Sequence, residues 1–588
     1  MRGRRRERLV EGARVTPSRP SLPIAVALRR SLAAGYGWSA LRADALAGIV
    51  VGVVALPLSM ALAIATGVPP QHGLYTAIVG GAIAALAGGS KFQVTGPTAA
   101  FVVILAPIVE RDGLAGLLTA GCLAGVLLIV MGFARLGRFV EFIPYPVTTG
   151  FTAGIATVIG LLQGKDAFGL RVEHMPEHFL PKLAALWDAR GTASGMEAGV
   201  AAFTMALLLV VPRSTRRIPA PLVALGAAGT VVWLLGLDVA TIGSRFHATV
   251  GGRDVAGIPP VAPVPALPWG AGGLSFDLVR NLLPSAFAIA MLGAIESLLS
   301  AVVADGMTGK RHDPDAELVG QGLANLITPF FGGIAATGAL ARTATNVRSG
   351  ARSPIAALVH ALVVLASVLV LAPLVSFLPM ASLAALLMLI AWNMLELRHV
   401  EHMVRVAPRS DILVLLTCYG LTVVVDMVMA VSVGVVLASF LFMSRMAEIT
   451  SSRVLQDDGS GETDRVLPPG VAIYEIAGAL FFGAAKSAMT ALDAIGADVR
   501  VVVIGLGRVG VIDATGLVAL ESALAQLQRH RKFVIVAGPL PEPRHVFEKA
   551  ELEVRMDNVL FADDVDAALA IAADLVALNP EWRPATAR

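Results

Sequence analysis

The chain has 588 residues, 56% of them hydrophobic and 15% charged, with a mean hydropathy of +0.75 and a formal net charge of +3. Soluble domains carry about 25% charged residues, so a water-soluble globular protein is excluded as a description of the whole chain. The basic residues sit in loops beside apolar blocks, which excludes nucleic acid as a partner; Cys122 and Cys418 lie far apart in apolar runs, which excludes a disulfide framework.

Residues 1–43 read as a basic cytoplasmic arm in which Arg2, Arg4, Arg5, Arg6 and Arg8 suit anionic lipid; no apolar core follows soon enough for a secretory signal. From 44 to 448 the chain runs in apolar blocks of roughly 17–25 residues, the length that crosses about 30 Å of hydrocarbon. The candidate spans are about 44–66, 73–90, 97–111, 113–134, 144–163, 195–212, 218–237, 277–304, 316–333, 338–350, 353–374, 380–397, 410–427 and 428–446, fourteen in all. Two of them, 97–111 and 338–350, are short for a full crossing.

With the N-terminus inside, every loop after an even-numbered span should be cytoplasmic. Those loops carry Lys91, then Arg135 and Arg138, then Arg213, Arg216 and Arg217, then Lys310 and Arg311, then Arg348 and Arg352, then Arg398 through Arg409, and finally Arg445. All are basic, as expected for a multi-pass bacterial inner-membrane protein with both termini cytoplasmic. Two halves of seven spans point to an inverted repeat. Residues 449–467 are polar and read as a linker. The stretch 468–588 reads as a small α/β domain, with strands at Val471–Ile476, Val501–Leu506 and Phe533–Ala537 and helices at 516–530 and 562–577.

One pair of landmarks recurs in the two halves. Thr95-Gly96-Pro97-Thr98-Ala99-Ala100 opens the third span, and Thr337-Gly338-Ala339-Leu340-Ala341-Arg342 opens the tenth. A helix N-terminus exposes unpaired N–H groups and a partial positive charge. Two short helices meeting N-terminus to N-terminus would therefore hold an anion without any metal. Gly96 and Gly338 permit close approach, Pro97 suits a first helical position, and Thr95 and Thr98 add hydroxyls. Ordinary small-residue packing is the competing reading.

Glu296 lies in the middle of the eighth span, where a carboxylate costs a few kcal/mol unless paired, hydrated or protonated. That makes it a candidate for proton coupling, or a structural carboxylate held by Arg342. Arg342, one turn into the tenth span, places positive charge near the anion, neutralises Glu296 or has a snorkelled packing role. Gly80, Gly81, Gly88 and Gly89 read as helix-packing positions, and Asp305, Glu317 and Asp426 as solvated or capping residues near span ends. His72 falls in an outside turn and needs no special role.

No enzyme signature is present, and no metal or cofactor is implied: there is no Walker A sequence and no HExxH. Gly505-Leu506-Gly507-Arg508-Val509-Gly510 imitates GxGxxG after a strand, but Asp513-Ala514-Thr515-Gly516 follows where a pyrophosphate-binding helix would be needed.

Leu56-Pro57-Leu58-Ser59-Met60-Ala61-Leu62-Ala63, Gly67-Val68-Pro69-Pro70-Gln71-His72-Gly73-Leu74-Tyr75 and Gly88-Gly89-Ser90 through Gly96-Pro97-Thr98-Ala99 resemble the signature of the sulfate permease (SulP) anion-transporter family, and the tail resembles its STAS domain. Within the family, Met291 to Leu299, Asp305 to Gly309, Glu317 to Gly322 and Ala341 to Arg348 look most like the bacterial aerobic C4-dicarboxylate carriers. The resemblance implies a fourteen-span all-α membrane domain, with core and gate subdomains in two inverted seven-span repeats, working by alternating access as a homodimer. It implies a substrate site on Thr98, Ala99, Gly338, Ala339, Leu340 and Glu296. Leu58 stands where many relatives have a polar or acidic residue, so that side chain has no part in handling solute or proton. Asp513, Thr515 and Gly516 fall on the loop whose serine is phosphorylated in bacterial anti-sigma antagonists, but Ala514 has no hydroxyl.

The expectation is thus a secondary carrier, coupled to protons, for succinate, fumarate and similar dianions. A sulfate or bicarbonate carrier of the same fold is the alternative. A membrane-tethered signalling protein, whose STAS domain binds a cytoplasmic protein partner, is a third reading, disfavoured because an anchor needs neither so many spans nor Glu296.

Overall fold

The computed structural model describes residues 23–579 except 139–142, 177, 215–218, 251, 450, 456–466, 482–488, 490–494, 497 and 557. Arg2, Arg4, Arg5, Arg6 and Arg8 of the N-terminal arm, and Arg216 and Arg217, lie outside the described residues. The chain divides into two units, Met1–Val435 and Val436–Arg588.

The first unit is helical. After α1 (Val26–Ala33) comes α2 (Trp38–Thr66), then α3 (Pro70–Tyr75) and α4 (Gly81–Ala87), joined by a π-helical turn. An extended pair, β1 (Thr95–Gly96), leads into α5 (Ala99–Phe133), which breaks at Gly113, where φ is 67° and ψ −171°. Only glycine takes that conformation cheaply, so α5 is two consecutive rods meeting where the third and fourth spans were expected to divide. Next come α6 (Tyr145–Leu162), α7 (Phe179–Asp188), α8 (Gly195–Ser214) and α9 (Ala220–Leu235). The hairpin β2 (His247–Val250) and β3 (Arg253–Ala256) precedes α10 (Phe276–Thr308) and α11 (Pro314–Ile327). A second extended pair, β4 (Thr337–Gly338), leads into α12 (Leu340–Arg348), followed by α13 (Ile355–Val375), α14 (Met380–Met394), α15 (Arg409–Val424) and α16 (Met427–Ile449).

Eight helices among the described residues are long and apolar enough to cross a membrane. Other positions read as spans carry shorter helices: 16 residues in α9, 14 in α11, nine in α12 and 16 in α15. Gly236 and Gly350, both at positive φ, follow α9 and α12, and Thr328-Pro329 follows α11, so the backbone leaves the helix before a full crossing. The helices fall into two packing groups. One contains α2, α4, α5, α10, α11, α12 and α13; the other contains α6, α8, α9, α14 and α15.

The second unit is a five-stranded sheet in the order β5 (Ser451–Leu455), β6 (Val471–Ala477), β7 (Val501–Arg508), β8 (Phe533–Ala537) and β9 (Val559–Ala562). All neighbours are parallel except β5, which runs antiparallel to β6. Ser451–Leu455 lies inside the stretch read as linker; its edge position needs little apolar character, which is why it looked polar. Successive strand residues alternate between two cores. Ala472, Val502 and Val534 face α17 (Ala514–Arg529), whereas Val471, Val501 and Ile535 face α19 (Val565–Leu578), the helix α18 (Pro541–Lys549) coming between these two in the chain.

Candidate anion site

The landmark pairs meet. Thr95 stands opposite Gly338 and Gly96 opposite Thr337 in an antiparallel two-residue ladder, although 242 positions separate the two glycines in a chain of 588. The chain crosses itself here in extended form, then each arm turns into a helix. Neither helix has a side-chain cap: Thr98 precedes α5 and Ala339 precedes α12 without capping them. The Thr98 hydroxyl instead donates to Glu296 Oε2 at 2.7 Å. First-turn N–H groups of both helices are therefore left for another acceptor, as an anion site requires.

One face of α10 supports the crossing at helical spacing. The Gly293 carbonyl accepts from the Thr337 hydroxyl at 3.1 Å, Glu296 holds Thr98, Ser297 Oγ lies 2.8 Å from the Thr337 hydroxyl and accepts from Gly338 N–H at 3.1 Å, and Ser300 donates to Thr343 at 3.0 Å. Both glycines are needed for space. A Cβ on Gly96 would collide with Arg342 Nη1, and one on Gly338 with Gln93 Nε2.

Arg342 is buried, with 1% of its surface exposed. Its Nη2 donates to the Pro97 carbonyl at 3.0 Å and to Ser59 Oγ at 3.2 Å, while Nε and Nη1 have no protein partner among the described residues. Glu296, which accepts from Thr98, does not pair with it. Ala99 is buried in the first turn of α5, and Leu340 is half exposed at the start of α12.

A second polar shell was not foreseen. Glu317, expected to be solvated or capping, is 2% exposed and accepts from Gly89 N–H (2.9 Å), Ser90 N–H (2.9 Å), Gln93 Nε2 (2.8 Å) and Gln321 Nε2 (3.0 Å). Gln321 Nε2 also donates to Thr95 Oγ1 at 2.7 Å. Glu317 therefore caps the loop that carries β1 from inside the protein rather than from solvent. Asp426 does cap α16, accepting from Met429 N–H at 2.8 Å, and Asp305 holds His312 at 2.7 Å. His72 binds the Gly332 carbonyl, a structural role, and Gly88 and Gly89 pack against Glu317 and Asp313.

In the second unit Asp513 caps α17, accepting from Gly516 N–H at 2.7 Å. The helix expected over 516–530 begins at Ala514, shortly after the GxGxxG-like run. Its N-terminus is capped by a carboxylate, which repels phosphate, so the run still lacks the character of a nucleotide site. Thr515 is exposed, and Gly516 abuts the Leu480 carbonyl.

The model of the sulfate permease family matches residues 41–418, and that of the STAS domain matches 463–568. The putative sulfate transporter YvdB of Bacillus subtilis is 38% identical over 90% of this chain and 98% of its own length. The bicarbonate transporter BicA of Picosynechococcus is 29% identical over 88% of this chain and 92% of its own length. The solved transmembrane domain of a cyanobacterial BicA aligns with a TM-score of 0.57 at 27% identity, covering 68% of this chain and 98% of that one. The inward-facing structure of the murine anion transporter Slc26a9 aligns with a TM-score of 0.80 over 97% and 98% of the two chains; at 17% identity this likeness shows the fold alone.

Proposed function

The chain belongs to the sulfate permease family, and from that membership we propose that it moves a small inorganic oxyanion, sulfate in the first place, across a bacterial inner membrane by alternating access. It is a multi-pass membrane anion transporter with a C-terminal STAS domain, and not an enzyme. One observation carries the site: two uncapped helix N-termini are tied together by the Thr95–Gly338 ladder beside an arginine with no acidic partner among the described residues. Thr98, Ala99, Gly338, Ala339, Leu340 and Arg342 are the residues proposed to line the anion site; the Thr98 hydroxyl and the Gly338 and Ala339 N–H groups are already engaged by Glu296, Ser297 and the Val94 carbonyl, so the first-turn N–H groups of α5 and α12 and the guanidinium are the donors.

The dicarboxylate expected from the finer resemblance gives way to sulfate, because the relatives above are named for sulfate and bicarbonate. Bicarbonate is the second reading, favoured by the match to the BicA transmembrane domain. The fourteen-span plan in inverted repeats belongs to this proposal; the paired turns and the two packing groups support it. So do cytoplasmic termini, from the charge of the loops, and a homodimer, from the resemblance. Uptake of labelled sulfate, bicarbonate and succinate into proteoliposomes is the test. Sulfate uptake that unlabelled sulfate suppresses is expected; succinate uptake without sulfate uptake would restore the dicarboxylate reading.

Proton coupling is assigned to Glu296. Glu296→Gln keeps an oxygen to accept the Thr98 hydroxyl but cannot titrate, so sulfate binding should persist while accumulation driven by a pH gradient is lost. Accumulation equal to wild type in the variant removes Glu296 from coupling.

A further inference from the structure

We propose that the ion pair between Lys182 and Glu110 is a latch that closes one mouth of the transport path and opens once in every cycle. The proposal rests on the transport reading above.

Lys182 Nζ lies 2.9 Å from Glu110 Oε1, with side-chain exposures of 8% and 30%. The partners belong to different packing groups. Glu110 is on α5, which packs with α10 and α11, whereas Lys182 is on α7, which rests on α6 and α15. The pairs Arg30–Asp313 and Asp166–Arg245, by contrast, each remain inside one group.

Position along α5 gives the pair its meaning. Its first rod begins at Ala99, at the candidate anion site, and ends at Gly113. At 1.5 Å per residue, Glu110 rides on the same rod about 16 Å from the site. Any displacement of the site relative to the second group must move Glu110 relative to Lys182. A carrier working by alternating access needs a barrier on each side that exists in only one state. A pair within one group is the same in both states; a pair across the groups is not. Burial of the Lys182 end makes the broken pair costly for that ammonium unless water reaches it, so separation and wetting of the mouth go together.

The test uses the full-length chain in proteoliposomes, with Glu110→Cys and Lys182→Cys combined and joined by a short reducible bis-methanethiosulfonate linker. The native Cys122 and Cys418 are buried, and the two single-cysteine variants control for their reaction. The linked protein is expected to bind sulfate yet lose uptake to background, with uptake restored by reductant. As a second measure, Glu110→Lys or Lys182→Glu alone should lower uptake, and the two reversals together should recover it. Linked protein that transports as fast as the reduced protein overturns the latch, as does equal uptake by single and double reversals. If the wild-type chain moves none of the anions, the transport reading fails instead, and the latch falls with it.

Discussion

Arg342→Ala should weaken sulfate binding about 10- to 100-fold while leaving a folded protein, as the loss of one charge-assisted contact of about 1.5–3 kcal/mol implies. The guanidinium is enclosed beside the crossing of β1 and β4, and only Nη2 has protein acceptors. No carboxylate pairs with it among the described residues, so beyond the Pro97 carbonyl and the Ser59 hydroxyl its charge is further stabilised when an anion or water joins it. Arg342→Lys keeps the charge but loses the planar fork, and should fall between the two. Gly96→Ala should imitate the loss from the other side, because a Cβ there displaces Nη1. Isothermal titration of the purified protein with sulfate, together with the KM for uptake, measures the effect. Wild-type affinity in both Arg342 variants would make this residue a packing element and remove the fixed charge from the site.

Glu317→Ala should destabilise the transport domain by about 3–5 kcal/mol, since it strands several buried donors at once and removes a carboxylate they were built around. Four N–H groups converge on Glu317, two from the backbone of Gly89 and Ser90 and two from Gln93 and Gln321. The amides lead onward: Gln321 reaches Thr95, and Gln93 lies against Gly338. Loss of the carboxylate therefore loosens both arms of the crossing, and uptake should fall together with the unfolding temperature. Glu317→Gln retains one acceptor oxygen but turns an NH2 toward other donors, so it should be destabilised less. Thermal unfolding in detergent micelles tests this; a variant with alanine that melts as the wild type does would show that the loop needs no clamp.

Much of the candidate site could be read in one dimension, because its signals are local. A Thr-Gly before a short apolar helix is a break in hydropathy and propensity, visible wherever it occurs, and its recurrence in both halves marks the pair. Glu296 was conspicuous for the same reason, being a carboxylate inside a long apolar run. Glu317 was misjudged because it follows Asp313, Pro314 and Asp315, a polar surrounding that resembles any solvated helix start. Three of its four donors, on Gly89, Ser90 and Gln93, lie 228, 227 and 224 positions away in sequence. Ser297 and Ser300 escaped notice as small residues in a helix otherwise rich in them. The choice of anion is not legible for another reason: opposed peptide dipoles serve sulfate, bicarbonate or succinate alike, and the motif likeness to dicarboxylate carriers is not matched by the relatives, which are named for sulfate and bicarbonate.

The sequence alone determined the solvent of each part: lipid for the apolar blocks, water for the alternating strands of the tail. It also located the two turns where the backbone leaves the helix. Those are properties of composition, periodicity, glycine and proline, which act over a few residues. Tertiary structure alone decided which distant groups share a bond. Asp44, at the start of α2, accepts from Arg352 N–H, Ser353 N–H and the Ser353 hydroxyl, and the Tyr36 phenol that donates to it at 2.8 Å is pushed up to about 12, first by burial and then by that bond. Glu317 found its four donors and Lys182 found Glu110 in the same way. A charge in low dielectric must have a partner, but the requirement fixes only that one exists. Which partner it is depends on how the helices pack.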